Sequence, residues 1–274
     1  MKITKKKSLG QNFLKDEGVL DKIILAGELS ASDNVLEIGP GEGVLTKKLL
    51  EKVGQVVVIE KDERLGDKDS MLQKICRKSN LLQGKIKLYF EDILKVKLPD
   101  VLGENHFDSE GYKVIANIPY YITGKILRLL FQQKPLPKIV VLLVQKEVAE
   151  RIVAQNNRQS ILSLSVQYYG SAEIVDYVSK EAFEPIPKVN SAILRIRPWV
   201  DVEFNRKEEK KFFQLIKIGF SSPRKKLLKN LSNGLQVDKN KLENIFQKMD
   251  LDLNIRAENL SVMEWKELIG ELGV

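Results

Sequence analysis

Asn34 to Thr46 reads NVLEIGPGEGVLT: a short apolar run, a turn carrying Gly39, Gly41 and Gly43, and the opening of an amphipathic segment. A strand that ends in a glycine turn and opens a helix lets backbone close on a ligand while free N–H groups face it. A dinucleotide fingerprint counted from Gly39 requires glycine or alanine where Val44 stands, which argues against pyrophosphate as that ligand.

Outward from this turn, NVLEI, QVVVIE, IKLYF, YKVIAN and KIVVLLV read as strands that alternate with amphipathic segments from Asn34 to about Val144. In VLTKKLLEKV, Leu45, Leu49 and Val53 share one helical face, and TGKILRLLF keeps the same period with Thr123 placed to cap it. The expectation is an α/β chain with a Rossmann-like, doubly wound sheet, whose ligands sit beyond the carboxyl ends of the strands. ILSLSVQYY alternates apolar and polar residues and by pattern alone reads as a strand. VNSAILRIRPW is expected to be the final strand, because beyond Pro198 the text turns lysine-rich and helical. The expected division is therefore 1–200 for the sheet domain and 201–274 for a small α-helical domain.

Lys and Arg number 45 against 37 Asp and Glu, a net charge of +8. That excess suits a polyanionic partner, although a basic surface also serves solubility alone. The single cysteine, Cys76, excludes an internal disulfide and fits a reducing compartment. The basic start MKITKKKSLGQNFL lacks the apolar core of an export signal, and no apolar run approaches a bilayer span, so the expectation is a soluble cytoplasmic protein. With only His106 and Cys76 as soft ligands, neither a His/Cys zinc site nor histidine-centred base catalysis is expected, and His106 sits in the polar stretch GENHFDSEG.

The E-x-G-x-G-x-G pattern resembles the first motif of S-adenosylmethionine-dependent methyltransferases, whose cofactor carries an adenosine and an amino-acid tail but no phosphate. QVVVIE then ends in Glu60, about 20 residues after the first turn, where a carboxylate accepts from both ribose hydroxyls. YFEDIL leaves Asp92 at the third strand end as an acceptor for the cofactor's adenine amino group. One acid at a strand end is readily chance; suitable groups at successive strand ends are not.

The fourth strand ends in Asn117–Tyr121, NIPYY. An adenine amino group is a poor nucleophile because its lone pair is delocalised into the ring. The Asn117 side-chain oxygen and the Ile118 carbonyl are two acceptors able to orient its N–H bonds, and Pro119 restrains the direction of that carbonyl. Tyr120 offers a face for a splayed base, worth roughly 1–3 kcal/mol. Taken alone, the tetrapeptide also fits a structural turn with a packed tyrosine.

In the tail, SSPRKKLLKNL reads as a helix with Ser222 at the N-cap and Pro223 at the first position, so that Arg224, Lys225 and Lys226 fall in the first turn. Cations there oppose the helix dipole, which makes sense if phosphate binds them; a solvated basic face is the plain alternative. SVME, Ser261 to Glu264, has capping-box spacing.

With these residues assembled, the chain resembles, nearly end to end, the small-subunit ribosomal RNA adenine N6-dimethyltransferases, the kasugamycin-resistance family. KKSLGQNFL is similar to that family's amino-terminal signature, which implies that Gln11, Asn12 and Leu14 close over the methionine end of the cofactor; Gly39, Gly41, Glu60, Asp92 and Asn117 complete the expected cofactor-binding set. FEPIPKVNSAILRIRP resembles the later motif, which implies that Phe183 stacks on the target adenine opposite Tyr120. RKKLLKNL and RAENLSVMEW resemble the small-subunit enzymes rather than the large-subunit enzymes of macrolide resistance. The resemblance implies S-adenosyl-L-methionine as cofactor, and two methyl groups placed on each of two adjacent adenosines in the 3′-terminal hairpin loop of 16S-type RNA during small-subunit assembly. It further implies an RNA-contacting helical tail and a helix rather than a strand at ILSLSVQYY. No metal is expected, and with no long heptad seam or large exposed apolar pattern in the sequence, neither is a partner subunit, so a monomer is expected. The polar text EKDERLGDKDSMLQKI and the long connection LPDVLGENHFDSEGYK depart from what the family leads one to expect. A large-subunit methyltransferase, a DNA adenine methyltransferase and a non-catalytic assembly factor are the rivals; the tail, the absence of a long target-recognition region and the intact cofactor set argue against each in turn.

Overall fold

Residues 12–68, 70–80, 84–154, 158–199 and 205–273 are described by the computed structural model of the chain. Among them the strands are β1 (Phe13–Leu14), β2 (Asn34–Ile38), β3 (Gln55–Glu60), β4 (Ile86–Phe90), β5 (Lys113–Asn117), β6 (Val140–Gln145), β7 (Gly170–Val178), β8 (Phe183–Glu184) and β9 (Ser191–Pro198). Seven form one sheet in the order β4-β3-β2-β5-β6-β9-β7, while β1 pairs with β8. From β4 to β6 the ladders are parallel, and β9 returns antiparallel to β6. The chain builds outward from β2 to β3 and β4, then crosses back to lay β5 on the other side of β2. That reversal separates the loops after β2 and β5 and leaves a crevice at their carboxyl ends.

β2 is buried along its whole length, as a parallel strand covered on both faces must be, and its apolar residues explain why the sequence reads as a continuous run. Asn34 and Glu37 are the polar exceptions within it. The helix Val44–Lys52 buries Leu45 and Leu49 as its period demands. Thr123 does not cap the next helix: Ile122 holds the N-cap position, and Thr123 is the first helical residue, its hydroxyl donating to the Tyr120 carbonyl at 3.0 Å. β7 has no counterpart in the expected strands. It lies at the sheet edge with one face in water, so polar residues interrupt its apolar signal.

ILSLSVQYY is the helix Ile161–Tyr169, against the alternation of its text. The decisive residue is Ser163, which reads as an exposed strand position but is buried as half of a capping box with Ser160. Tyr168 and Tyr169 at its end pack on Phe212 and Phe213, with ring centroids 4.6 Å apart for Tyr168–Phe212 and 6.0 Å for Tyr169–Phe213. The chain accordingly divides into one unit of Met1–Ala149 and Ser171–Val200 and another of Glu150–Gly170 and Asp201–Val274. Residues 150–170 leave the sheet unit to join the tail, an excursion that a boundary at 200 does not contain.

Within the second unit, Ser261 and Glu264 form the expected capping box ahead of the helix Val262–Leu272. Arg224, Lys225 and Lys226 lie one turn earlier than expected. The helix runs Leu227–Leu235 with Lys226 as its N-cap, and the residues before it form a turn closed by Lys225 N–H donating to the Ser222 carbonyl at 2.9 Å. The buried Asn230 amide holds that turn by donating to the Gly219 and Ser222 carbonyls. All three cations are exposed. Among the described residues, no helix is long and apolar enough to cross a membrane.

Candidate active site

The carboxyl ends of β2, β3 and β5 and the turn after β4 open on a cavity of about 340 Å3, within the range that holds a nucleoside-sized ligand. Asn12, Leu14, Gly39, Gly41, Glu60, Asp92, Asn117, Ile118, Pro119 and Tyr120 all line it. Gln11 lies outside the described residues.

The glycine turn lines the cavity from Gly39 to Glu42. Gly41 takes φ +57°, and a side-chain carbon there would meet the Phe13 ring at 2.8 Å, so only glycine lets backbone and ring close together. Its N–H points to Glu60 Oε2 at 3.4 Å, while Oε1 accepts from Asp62 N–H at 2.6 Å. Burial raises the Glu60 carboxyl above its ordinary range, opposed by these N–H donors. Asp92 shows the reverse balance. Its Oδ2 accepts from the Lys61 ammonium at 2.8 Å and its Oδ1 from Leu94 N–H at 3.0 Å, which together hold the carboxyl low against a smaller burial effect.

At the end of β5, Asn117 Nδ2 donates weakly to the Asn12 carbonyl at 3.5 Å. A carbonyl can only accept, so this contact directs the amide nitrogen there and leaves Oδ1 free to act as an acceptor. Ile118 is buried, and Pro119 holds φ −58° and ψ 131° before the turn Tyr120–Ile122. The Tyr120 hydroxyl meets Ser191 Oγ at 2.7 Å.

Phe183 is not brought to the cavity. It pairs with Leu14 across the short β1–β8 ladder and is 3% exposed within the hydrophobic core, because an aromatic at that register is packed by both strands. The stacking role implied for it therefore has no support in this geometry.

One acid that sequence reading left unnamed lies at the centre. Glu37 is 1% exposed on the central strand and lines the cavity, and among the described residues neither of its oxygens has a hydrogen-bond partner. Burial pushes its carboxyl up to about 8; the neighbouring Thr46 hydroxyl tempers the shift without reaching hydrogen-bonding geometry, and the Glu60 charge adds to it. The signal was present in the sequence, since a charge inside a fully buried parallel strand requires a reason. Lys61, Tyr121 and Lys125 also line the rim. Cys76, buried with its thiol pushed up to about 11, plays no part in the lining.

The family model described as ribosomal RNA adenine dimethylase matches residues 2–272. A ribosomal RNA small subunit methyltransferase A of Dehalococcoides mccartyi is 40% identical over 263 residues, covering 96% of this chain and 87% of the relative. The protein of the same name in Fusobacterium nucleatum is 38% identical, covering 98% of each. A crystal structure of a dimethyladenosine transferase from Plasmodium falciparum superposes with a TM-score of 0.78 at 28% identity, over 95% of this chain and 97% of that one. The 23S rRNA methyltransferase ErmE shares the fold, with a TM-score of 0.74 at 24% identity over 96% of this chain and 100% of that one. A glycine turn, three acids at strand ends and the Asn-Ile-Pro-Tyr turn share one cavity, and with the family model spanning nearly the whole chain, the chain belongs to the ribosomal RNA adenine dimethylase family.

Proposed function

We propose that this methyltransferase dimethylates N6 of two adjacent adenosines in the 3′-terminal hairpin loop of 16S-type ribosomal RNA, using S-adenosyl-L-methionine, during assembly of the small subunit. The names of its relatives support the small-subunit substrate. The observation that carries the chemistry is the Asn117 amide at the end of β5, sharing one cavity with Glu37, Glu60 and Asp92.

The cavity's residues fit the cofactor. A buried carboxylate without a partner is costly unless a cation or strong donor meets it, and the cofactor carries both a sulfonium and an ammonium group. Glu37 and the Gly39–Gly41 backbone would hold its amino-acid end, with Asn12 and Leu14 over it. Glu60 would accept from the ribose hydroxyls and Asp92 from the adenine amino group. When bound, the cofactor supplies an electrophilic methyl group on positively charged sulfur.

This chain's own residues prepare the nucleophile. Asn117 Oδ1 and the Ile118 carbonyl accept the two N–H bonds of the target amine and draw its lone pair out of conjugation. Pro119 fixes the turn that directs both, and Tyr120 supplies a ring face for the extruded base. No imidazole takes part; His106 is exposed and outside the lining. The acceleration comes from positioning and from dipoles set for the charge change. Once methylated, the nitrogen sheds one proton to solvent and keeps one N–H, so the same two acceptors can serve a second transfer with one of them unpaired.

In the helical unit, Arg224, Lys225 and Lys226 present exposed charge for RNA phosphates. The protein acts in the cytoplasm as a monomer in this reading. The test is incorporation of labelled methyl from S-adenosylmethionine into small-subunit particles that lack the modification, followed by nucleoside analysis. N6,N6-dimethyladenosine confined to the small-subunit RNA is expected; label in large-subunit RNA, or none, overturns the proposal.

A further inference from the structure

We infer that Ser191 is a positioning residue that sets the plane of the Tyr120 ring. The inference rests on the reading of the cavity as the transfer site and extends it to a residue outside the lining. Ser191 opens β9 opposite Gln145 and is fully buried. Its Oγ lies 2.7 Å from the Tyr120 hydroxyl, close enough for a strong bond whichever oxygen donates. At the other end of the same residue, the Thr123 hydroxyl donates to the Tyr120 carbonyl at 3.0 Å. Tyr120 is thus tied at its backbone by the following helix and at its tip by β9, which lies beyond β6 in the sheet from β5.

With its backbone carbonyl held and its hydroxyl tip tied, the ring has little freedom to tilt, and stacking on an extruded base depends on that tilt. Burial raises the Tyr120 hydroxyl, so it remains protonated and able to bond across neutral pH. The tie also accounts for a sequence feature otherwise left idle. In FEPIPKVNS the first residue, Phe183, is packed in the core, and the last, Ser191, is the one that touches the NIPY turn. The segment acts on the site through its serine.

Ser191→Ala and Tyr120→Phe remove the same bond from opposite sides while keeping the ring. Each is expected to lower kcat about five- to tenfold, the scale of one hydrogen bond, with KM for S-adenosylmethionine unchanged. The double variant is expected to be no slower than either single one, because the bond can be lost only once. Losses that multiply in the double variant, or a Tyr120→Phe enzyme with wild-type kcat, overturn the inference, the second outcome standing even if Ser191→Ala fails to fold. Asn117→Ala in the same assay separates the two levels: full activity there overturns the reading of the site itself, whereas an inactive Asn117→Ala beside multiplying losses overturns only the role of Ser191.

Discussion

Lys61 Nζ sits 2.8 Å from Asp92 Oδ2, so the carboxylate proposed to receive the cofactor's adenine amino group already has a cation on one oxygen. With Leu94 N–H on the other oxygen, Asp92 is fully ionised at neutral pH, and an arriving amino group must share Oδ2 or displace an exposed ammonium. Exposed ammonium groups are held weakly. Asp92→Ala is expected to weaken S-adenosylmethionine binding about tenfold, as loss of a hydrogen bond to a charged acceptor does. Lys61→Met should not weaken it, because Asp92 stays ionised without its partner. Calorimetric titration of both variants decides this: equal losses would mean that the ion pair, not the carboxylate, is what the ligand recognises.

Glu37 makes the cofactor-free protein pH-sensitive. Its carboxyl is raised from an ordinary 4.5 to about 8, so the folded state binds the proton more tightly than the unfolded chain does. The resulting stability is fully present below about pH 4.5 and is lost as pH rises towards 8, at up to about 1.4 kcal/mol per pH unit for one proton. Relative to Glu37→Gln, the wild type should lose stability between about pH 5 and 8 and then level off. A cationic ligand needs the carboxylate, so its binding releases a proton, and affinity for S-adenosylmethionine should climb over the same window in wild type alone. Parallel pH curves for the two proteins in denaturant melts and binding would remove Glu37 from the cofactor site.

For Asn117, the expected split is between binding and chemistry. Asn117→Ala leaves Glu37, Glu60 and Asp92 in place, so cofactor affinity should stay within about threefold. Methyl transfer should fall at least about 100-fold, the usual cost of removing a group aimed at the changing charge. Comparable single-turnover rates in wild type and variant would sink the acceptor role.

The cations before Leu227 belong to a turn rather than to a helix, which weakens any argument from the helix dipole but leaves them exposed together. If they meet phosphates, replacing Arg224, Lys225 and Lys226 with Gln should reduce the slope of log affinity against log salt by about 2 to 3, near 0.7–0.9 per contact. An unchanged slope would make them a solvated face.

What the sequence disclosed follows from the range over which each signal acts. Glycine turns, strand-end acids and NIPYY are local, and the parallel sheet holds them where a strand-by-strand reading puts them. The β1–β8 ladder is two residues long and joins segments far apart in the chain, so no period announces it, and it is this ladder that draws Phe183 into the core. ILSLSVQYY alternates like a strand; the serine capping box that starts it as a helix is local but overlaid by that alternation, while the aromatic pair at its end takes its meaning from Phe212 and Phe213, distant in sequence. Ser191 stands at the end of FEPIPKVNS, but its bond to Tyr120 exists only once β9 has folded back beside β6.

Gly219 tests the packing of the helical unit independently of RNA or cofactor. It is the last residue of the helix Arg206–Gly219, and a side-chain carbon there would stand 2.3 Å from Trp265 Cη2 and 3.0 Å from Leu227 Cδ1. Trp265 and Leu227 are both fully buried, so neither can swing into solvent. Alanine's better helix propensity favours the substitution by about 1 kcal/mol, but forcing a methyl into a packed core costs about 1–3 kcal/mol or more, and a contact this short falls at the upper end. Gly219→Ala is therefore expected to destabilise the protein by about 2 kcal/mol, with altered tryptophan fluorescence, and the sheet unit's affinity for S-adenosylmethionine should be unchanged at temperatures where the variant remains folded. A variant with a higher melting temperature would show that the Trp265 ring has room that this packing denies it.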